Sequence, residues 1–322
     1  MMNKIEIIGI GALNVDHVYK VENILDDGES VVEEAGCFPG GSAANTIYGL
    51  AKLGISDAFI GAVGDDDEGR LVIDDFEKVG VNTSQIVLKQ GVKTGATLCL
   101  STPPGKRSIY VIPGANNLLS ENDLDLDYMN RIKLLHLSSF VNDRQFQLSL
   151  ELMGKLAPSV RLIFSPGELY VTRGLEALAP ILARTDILFV NRNEVERLTG
   201  EDFKNGAEAC QKQGCQIVVV TLGKVKGLAG DSTSSAACYI TDDSSEFLVE
   251  SVVQKETIAV DTTGAGDAFA AGFLYGLLNN KDLEECGRLG DITAQFKIAK
   301  IGARQGLPTP TQLAKKYSEL YK

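Results

Sequence analysis

Asp267 is the residue of this chain whose surroundings most restrict what it can do. It ends the run Asp261-Thr262-Thr263-Gly264-Ala265-Gly266-Asp267, preceded by apolar Ile258-Ala259-Val260 and followed by an apolar helical pattern from Ala268 to Leu278. The pattern predicts a short buried strand, a tight turn and then a helix. A Gly-rich turn there aims backbone N–H groups outward, and the helix dipole adds partial positive charge, so the segment suits an anion. A carboxylate would repel a phosphate bound at that place. It makes sense if it takes the proton from a hydroxyl that attacks the phosphate. The chemistry this suggests is phosphoryl transfer. A plain tight turn with a dipole-favoured acid in the first helical turn would carry the same residues.

Other polar groups fall at the ends of apolar runs. Gly9-Ile10-Gly11-Ala12-Leu13-Asn14 begins like a dinucleotide fingerprint, but Asn14 stands where the third Gly belongs and the following residues favour strand over helix. Asn14 and Asp16 either shape a turn or bind hydroxyls at the carboxyl ends of the strands. Pro39-Gly40-Gly41-Ser42-Ala43-Ala44-Asn45 opens a helix, with Ser42 suited to its N-cap and the double Gly suited to close approach by a ligand. Asn193 and Glu196, three apart after the apolar run Ile187–Val190, share one face of a helical turn and offer oxygen atoms to a hard cation such as Mg²⁺; an exposed acidic helix start would look alike. Thr221-Leu222-Gly223 ends another strand and is either a nucleotide-side backbone segment or an ordinary turn. No GxxxxGK[ST] sequence occurs, which removes the Walker-type NTPases.

The elements that must position these groups alternate. Strands are expected at Ile5–Ile10, Asp57–Val63, Lys133–Leu137, Val160–Phe164, Ile187–Val190 and Ile217–Thr221. Helices are expected at Ala43–Leu53, Leu71–Val79, Arg144–Leu156, Gly174–Ala183 and Ala207–Gln213, and later at Asp282–Ile301 and Thr311–Leu320. That rhythm indicates a doubly wound α/β fold with a mainly parallel sheet. Val15–Gly36 and Thr94–Pro113 break it with β-branched and alternating runs, the second around a Pro103-Pro104-Gly105 turn, and predict a small β-sheet over a site. Gly272 and Gly276 predict close packing of their helix on the sheet.

The composition removes other classes. A net charge of −12 argues against nucleic acid and against an anionic membrane as partner, and no apolar run nears the ~20 residues that a bilayer requires. The N-terminal run carries Glu6 and reads as a strand, not a signal peptide. Six scattered cysteines without CxxC pairs indicate reduced thiols in a cytoplasmic protein, and His17 and His136 lie at no zinc-ligand spacing.

Taken in order, these pieces resemble the ribokinase-like (PfkB) carbohydrate kinase family over nearly the whole chain. The residues that carry the resemblance are Gly40-Gly41-Ser42-Ala43-Ala44-Asn45 with Leu50-Ala51-Lys52-Leu53-Gly54, Gly61-Ala62-Val63-Gly64-Asp65-Asp66, Pro113-Gly114-Ala115-Asn116, Asn193 to Glu196 as the NxxE element, Asp261 to Phe269, and Gly302-Ala303 with Pro308. The resemblance implies one ribokinase-like domain over residues 1–322, with lid segments at about 15–38 and 94–113, and ATP-dependent phosphorylation of a small sugar. It implies Asp267 as base and the amides of Gly264, Ala265 and Gly266 as an anion hole. Asn14, Asp16, Gly41 and Asn45 would grip the substrate. Asn193, Thr221 and Gly223 would serve the nucleotide, Glu196 would hold Mg²⁺ through water, and Asp261 and Thr263 match positions that bind a monovalent cation such as K⁺ in many members. A homodimer through the lid would fit an uncovered sheet edge. Three features depart from the family: Gly223 to Gly227 is one residue longer, Leu137-Ser138-Ser139-Phe140 lacks the acidic residue of true ribokinases, and Lys300 stands for a usual Arg. A nucleoside, another furanose-like sugar or a sugar phosphate thus stays open as substrate, as does a non-catalytic nucleotide-binding role.

Overall fold

The computed structural model describes residues 4–102, 107–223, 235–252 and 259–321. Its strands are β1 (Ile7–Ile10), β2 (Asn14–Lys20), β3 (Glu33–Gly40), β4 (Asp57–Gly64), β5 (Asn82–Lys89), β6 (Gly95–Ser101), β7 (Arg107–Ile112), β8 (Leu134–Ser138), β9 (Arg161–Ser165), β10 (Thr185–Asn191), β11 (Ile217–Thr221), β12 (Ser235–Thr241) and β13 (Glu246–Ser251). Nine of them form one sheet in the order β13-β12-β11-β10-β9-β8-β1-β4-β5, parallel except for β12 and β13. The remaining four form a separate small sheet, β3-β2-β6-β7.

Alternation along the central strands assigns each residue to a face. Ile8 and Ile10 of β1, with Ala58, Ile60 and Ala62 of β4, face Leu148, Leu152 and Leu178 of the helices Asp143–Lys155 and Leu175–Leu182. Ile7 and Phe59 point the other way, toward Ile47, Val72 and Phe273 of the helices Ser42–Lys52, Asp67–Val79 and Ala265–Leu278. Both faces are covered, which is why these strands read as continuous apolar runs. No helix among the described residues is long and apolar enough to cross a membrane.

Several expectations need correction. Among the described residues Ala259 and Val260 form no strand, and Val260 is 55% exposed; Ile258 lies outside the described residues. The loop is instead pinned by Val260 N–H and Asp261 N–H, both donating to the Ile298 carbonyl. Gly272 and Gly276 do pack closely, but on the helix Leu283–Ile298 and not on the sheet: a Cβ on Gly272 would lie 2.5 Å from the Leu289 carbonyl oxygen. Strand β5 was not expected because Asn82–Gln85 is polar; it is the sheet's edge. The β12–β13 hairpin turns at Asp242, whose carboxylate accepts from Ser244 N–H and Ser245 N–H at 2.9 and 2.8 Å. The expected Pro103-Pro104-Gly105 turn lies outside the described residues, as does the Gly223–Gly227 interval beyond Gly223.

The passage from β1 into the small sheet is held by Asn116. Its side-chain oxygen accepts from Leu13 N–H at 2.8 Å, and its NH₂ donates to Leu13 O and to Asn14 Oδ1, both at 2.9 Å. All of these groups are buried. Asn116→Ala leaves the Leu13 backbone groups without partners and is expected to lower unfolding free energy by about 2 kcal/mol. Urea denaturation checks this, and a loss below about 0.5 kcal/mol would show that the clamp is dispensable.

Candidate active site

Parallel strands end on one side of the sheet, and the polar groups singled out in the sequence collect there. A cleft of about 100 Å³ is lined by Ser165 at the end of β9, Val190 and Asn191 of β10, Thr221 of β11, and Ser42, Glu194, Gly266 and Asp267 from three helix starts. Such a crevice outside the carboxyl ends of the strands is where open α/β sheets bind ligands.

Asp267 lies in the first turn of the helix Ala265–Leu278. The turn before it needs Gly264, which has φ 73° and whose added Cβ would lie 2.8 Å from the Ala303 carbonyl oxygen. One oxygen of the Asp267 carboxylate accepts from Ser42 Oγ at 2.7 Å, and the other accepts from Asn45 Nδ2 at 2.8 Å. Burial pushes the Asp267 carboxyl above its ordinary range, while these two donors and Arg304 favour its ionised form and the Asp16 charge opposes it. Ser42 therefore does not cap its helix. Gly41 is the N-cap residue, with φ 104° and an added Cβ only 2.1 Å from Ala12 O, and the Ser42 hydroxyl is left to serve Asp267.

Asn45 is itself oriented. Arg304 Nε donates to Asn45 Oδ1 at 2.9 Å, so the oxygen must face the guanidinium and the NH₂ must face Asp267. Arg304 is 3% exposed, donates to Asp75 Oδ2 at 2.8 Å, and lies over the rings of Phe76 and Tyr48. The sequence reading missed Ser42 as a partner of Asp267 and missed Arg304 entirely, because both contacts join residues more than 200 positions apart.

The structure does not bring Asn193 and Glu196 to the cleft. Asn193 is exposed, and Glu196 accepts from Arg192 Nε at 2.7 Å on the same helix. Neither lines the cleft. Asn191 and Glu194 do, joined in a capping box at the start of the helix Arg192–Thr199: Glu194 N–H donates to Asn191 Oδ1 at 2.9 Å, and Asn191 N–H donates to Glu194 Oε2 at 2.8 Å. The signal was present, since Asn directly after an apolar strand with Glu three later marks a helix start. Burial pushes Glu194 up to about 7, with the Asn191 amide opposing and the Glu168 and Asp267 charges reinforcing the shift.

On the other side of Asp267, Asn14 and Asp16 are buried at the start of β2, and Thr97 Oγ1 donates to Asp16 Oδ1 at 2.6 Å. Burial raises the Asp16 carboxyl while Thr97, Arg304 and His17 offset it. Between the small sheet and the Asp261 loop lies a cavity of about 820 Å³, with Val18, Ala35, Cys99, Ile109 and Ile301 among its walls. Thr221 and Gly266 line the smaller cleft, whereas Gly223 is exposed with φ 63° and does not. Of the three proposed anion-hole amides, Ala265 N–H already donates to Thr262 O at 3.1 Å.

Around Asp261, expected with Thr263 to hold a monovalent cation, protein groups fill several positions. One Asp261 oxygen accepts from Thr263 N–H and the other from Gly302 N–H, each at 2.8 Å. The fully buried Lys297 ammonium donates to the Asp261 carbonyl at 2.7 Å and lies 3.8 Å from its carboxylate. Burial opposes ionisation of Asp261, but the two amides and Lys297 prevail and hold it below the ordinary Asp range.

Comparison with known proteins agrees with the fold. The family model for pfkB family carbohydrate kinases matches residues 3–310. An uncharacterised sugar kinase of Archaeoglobus fulgidus is 41% identical over 261 residues, covering 81% of this chain and 98% of its own. The solved ribokinase of Thermotoga maritima superposes with a TM-score of 0.81 at 26% identity, covering 98% of this chain and 100% of its own. An adenosine kinase of Sinorhizobium meliloti gives 0.80 at 25% identity, over 98% and 99%. A mostly parallel sheet flanked by helices, beside a separate small sheet, is thus shared architecture, and this chain belongs to the pfkB family of carbohydrate kinases.

Proposed function

We propose that Asp267 is the general base of ATP-dependent phosphoryl transfer to a hydroxyl of a furanose-type substrate. The observation that carries this is the Asp267 carboxylate itself, held by Ser42 and Asn45 at a helix N-terminus. Both partners donate to it, so it stays an acceptor, ready for a substrate proton. The helix-start amides of Gly264 to Gly266 would stabilise charge on the transferred group, with Gly266 lining the cleft and Ala265 also closing its own turn. Asn14, Asp16, Gly41 and Asn45 would fix the substrate hydroxyls, and Thr221 would border the nucleotide. Asn191 and Glu194 would organise Mg²⁺ on the phosphates, in place of Asn193 and Glu196. The small sheet would act as the lid that excludes water during transfer.

Within this reading the substrate carries more than a free pentose. A pentose presents hydroxyls on most sides, which an apolar wall would strip of water without replacing their hydrogen bonds. The apolar part of the wall, at Val18, Ala35, Cys99, Ile109 and Ile301, fits a planar appendage such as the base of a nucleoside, while Lys20, Glu22, Ser101 and Thr102 on the same cavity offer polar partners to its edge. The opposite face of the small sheet exposes Leu98, Tyr110 and Ile112, a surface for a second copy of the chain. The six cysteines, none of them in a disulfide, fit a reducing, cytoplasmic setting.

ATP-to-ADP turnover with Mg²⁺ across sugars, sugar phosphates and nucleosides tests the reading, and nucleosides are expected to lead. Preference for a free pentose would sink the appendage argument, and silence with ATP still bound would sink the transfer. Asp267→Asn should lower kcat by about 10²-fold or more while sparing ATP affinity. Activity that needs ionised Asp267 rises with pH through its raised pKa. Ser42→Ala removes a donor to the ionised form, so the acid limb of kcat/KM should move to higher pH; an unmoved limb assigns it to another group.

A second comparison tests the register. Glu194→Gln should raise the Mg²⁺ concentration for half-maximal rate by about tenfold or more, while Glu196→Gln stays within about twofold of wild type. The reverse ranking would restore Asn193 and Glu196.

A further inference from the structure

We propose that Lys297 is a built-in monovalent cation, whose ammonium does for the anion-hole loop what an exchangeable K⁺ would otherwise have to do. The proposal rests on the anion-hole role given above to the Gly264–Gly266 turn. Asp261 is the knot of that loop, since its carboxylate ties Thr263 N–H ahead of the turn to Gly302 N–H on the C-terminal segment. Gly264 packs against Ala303, next in that segment. The Asp261 carboxylate is 18% exposed and already held by two amides, and a positive charge beside it favours its ionised form further. Lys297 supplies it: the side chain is 0% exposed, its Nζ donates to the Asp261 carbonyl at 2.7 Å, and the carboxylate lies 3.8 Å away.

The lysine is anchored where a cation belongs. It stands in the last turn of the helix Leu283–Ile298, where the dipole favours positive charge. The next residue, Ile298, accepts the Val260 and Asp261 N–H groups through its carbonyl. A carbonyl oxygen and a carboxylate around one charge are also the donors that a hard monovalent ion would take, so a second cation at Asp261 would meet the ammonium at close range and be repelled. Lys297 is thus a positioning residue, acting on phosphoryl transfer through Asp261 and the turn. A fixed ammonium, unlike an ion from solution, cannot be diluted away or exchanged.

The test begins with the intact protein. Turnover and ADP affinity, the latter by calorimetry, are measured in KCl, NaCl and tetramethylammonium chloride at equal ionic strength. Both are expected to agree within about twofold in the three salts, because no site is left to fill. Activation by K⁺ of about tenfold or more, or an equal gain in ADP affinity, would overturn the proposal. Lys297→Ala should lose about tenfold or more in kcat and regain part of it with ammonium or methylammonium, but not with tetramethylammonium. Full activity in Lys297→Ala, or a loss that no small cation relieves although the variant melts cooperatively, would also overturn it. Should Lys297→Ala fail to fold, Lys297→Met keeps the side-chain volume without the charge, and its ADP affinity is expected to fall in all three salts. A protein that turns over no substrate in any salt fails as a kinase, and the salt dependence of ADP binding still decides the role of Lys297.

Discussion

A carboxylate set into a half-buried helix start must be held in position and kept ionised, and in this chain the same two hydrogen bonds do both. The Ser42 hydroxyl and the Asn45 amide reach Asp267 from the first turn of another helix. They favour the charged form against the burial that opposes it. Everything around them serves to bring two helix N-termini within hydrogen-bond distance. Gly41 lets one chain pass close to Ala12 O, and Gly264 lets the other pass close to Ala303. The helices pack through Gly49 against Ala271, where a Cβ would lie 2.7 Å from the alanine methyl group.

Behind this contact runs a chain of buried polar groups. Arg304 fixes the Asn45 amide and is itself held by Asp75 and two aromatic rings. Lys297 and Asp261 do the corresponding work for the loop before Asp267. Buried charges are costly unless paired, and they are retained where a unique geometry is needed. Both cations come from the last stretch of chain and act on a site whose other half lies near the N-terminus. The site is therefore complete only when the helix Leu283–Ile298 and the segment after it have docked.

The large parallel sheet was legible because a strand buried on both faces is a continuous apolar run bounded by turn residues. Ile217–Thr221 was read with its bounds unchanged, and β1, β4, β8, β9 and β10 fell within about two residues at each end. The small sheet showed itself as β-branched alternation. Edge elements were hidden: β5 is half-polar, and β13 lies at the far edge of the sheet, where few core residues impose a pattern. The NxxE spacing was visible, but two overlapping choices, Asn191 with Glu194 and Asn193 with Glu196, have the same spacing. Only the helix start at Asn191 separates them, because Asn191 and Glu194 line the cleft and Asn193 and Glu196 do not.

By itself the sequence determined the class of fold, the turn and helix that carry Asp267, and the family of kinases to which the chain belongs. These follow from local periodicity and from backbone geometry that few residues other than Gly permit. Tertiary structure decided who touches Asp267 and that the Lys297 ammonium lies beside Asp261. Those outcomes depend on residues 36 to 259 positions apart meeting in space, as with Asp261 and Lys297 or Asn45 and Arg304. No local pattern records a hydrogen bond whose two halves are brought together only by closing the core.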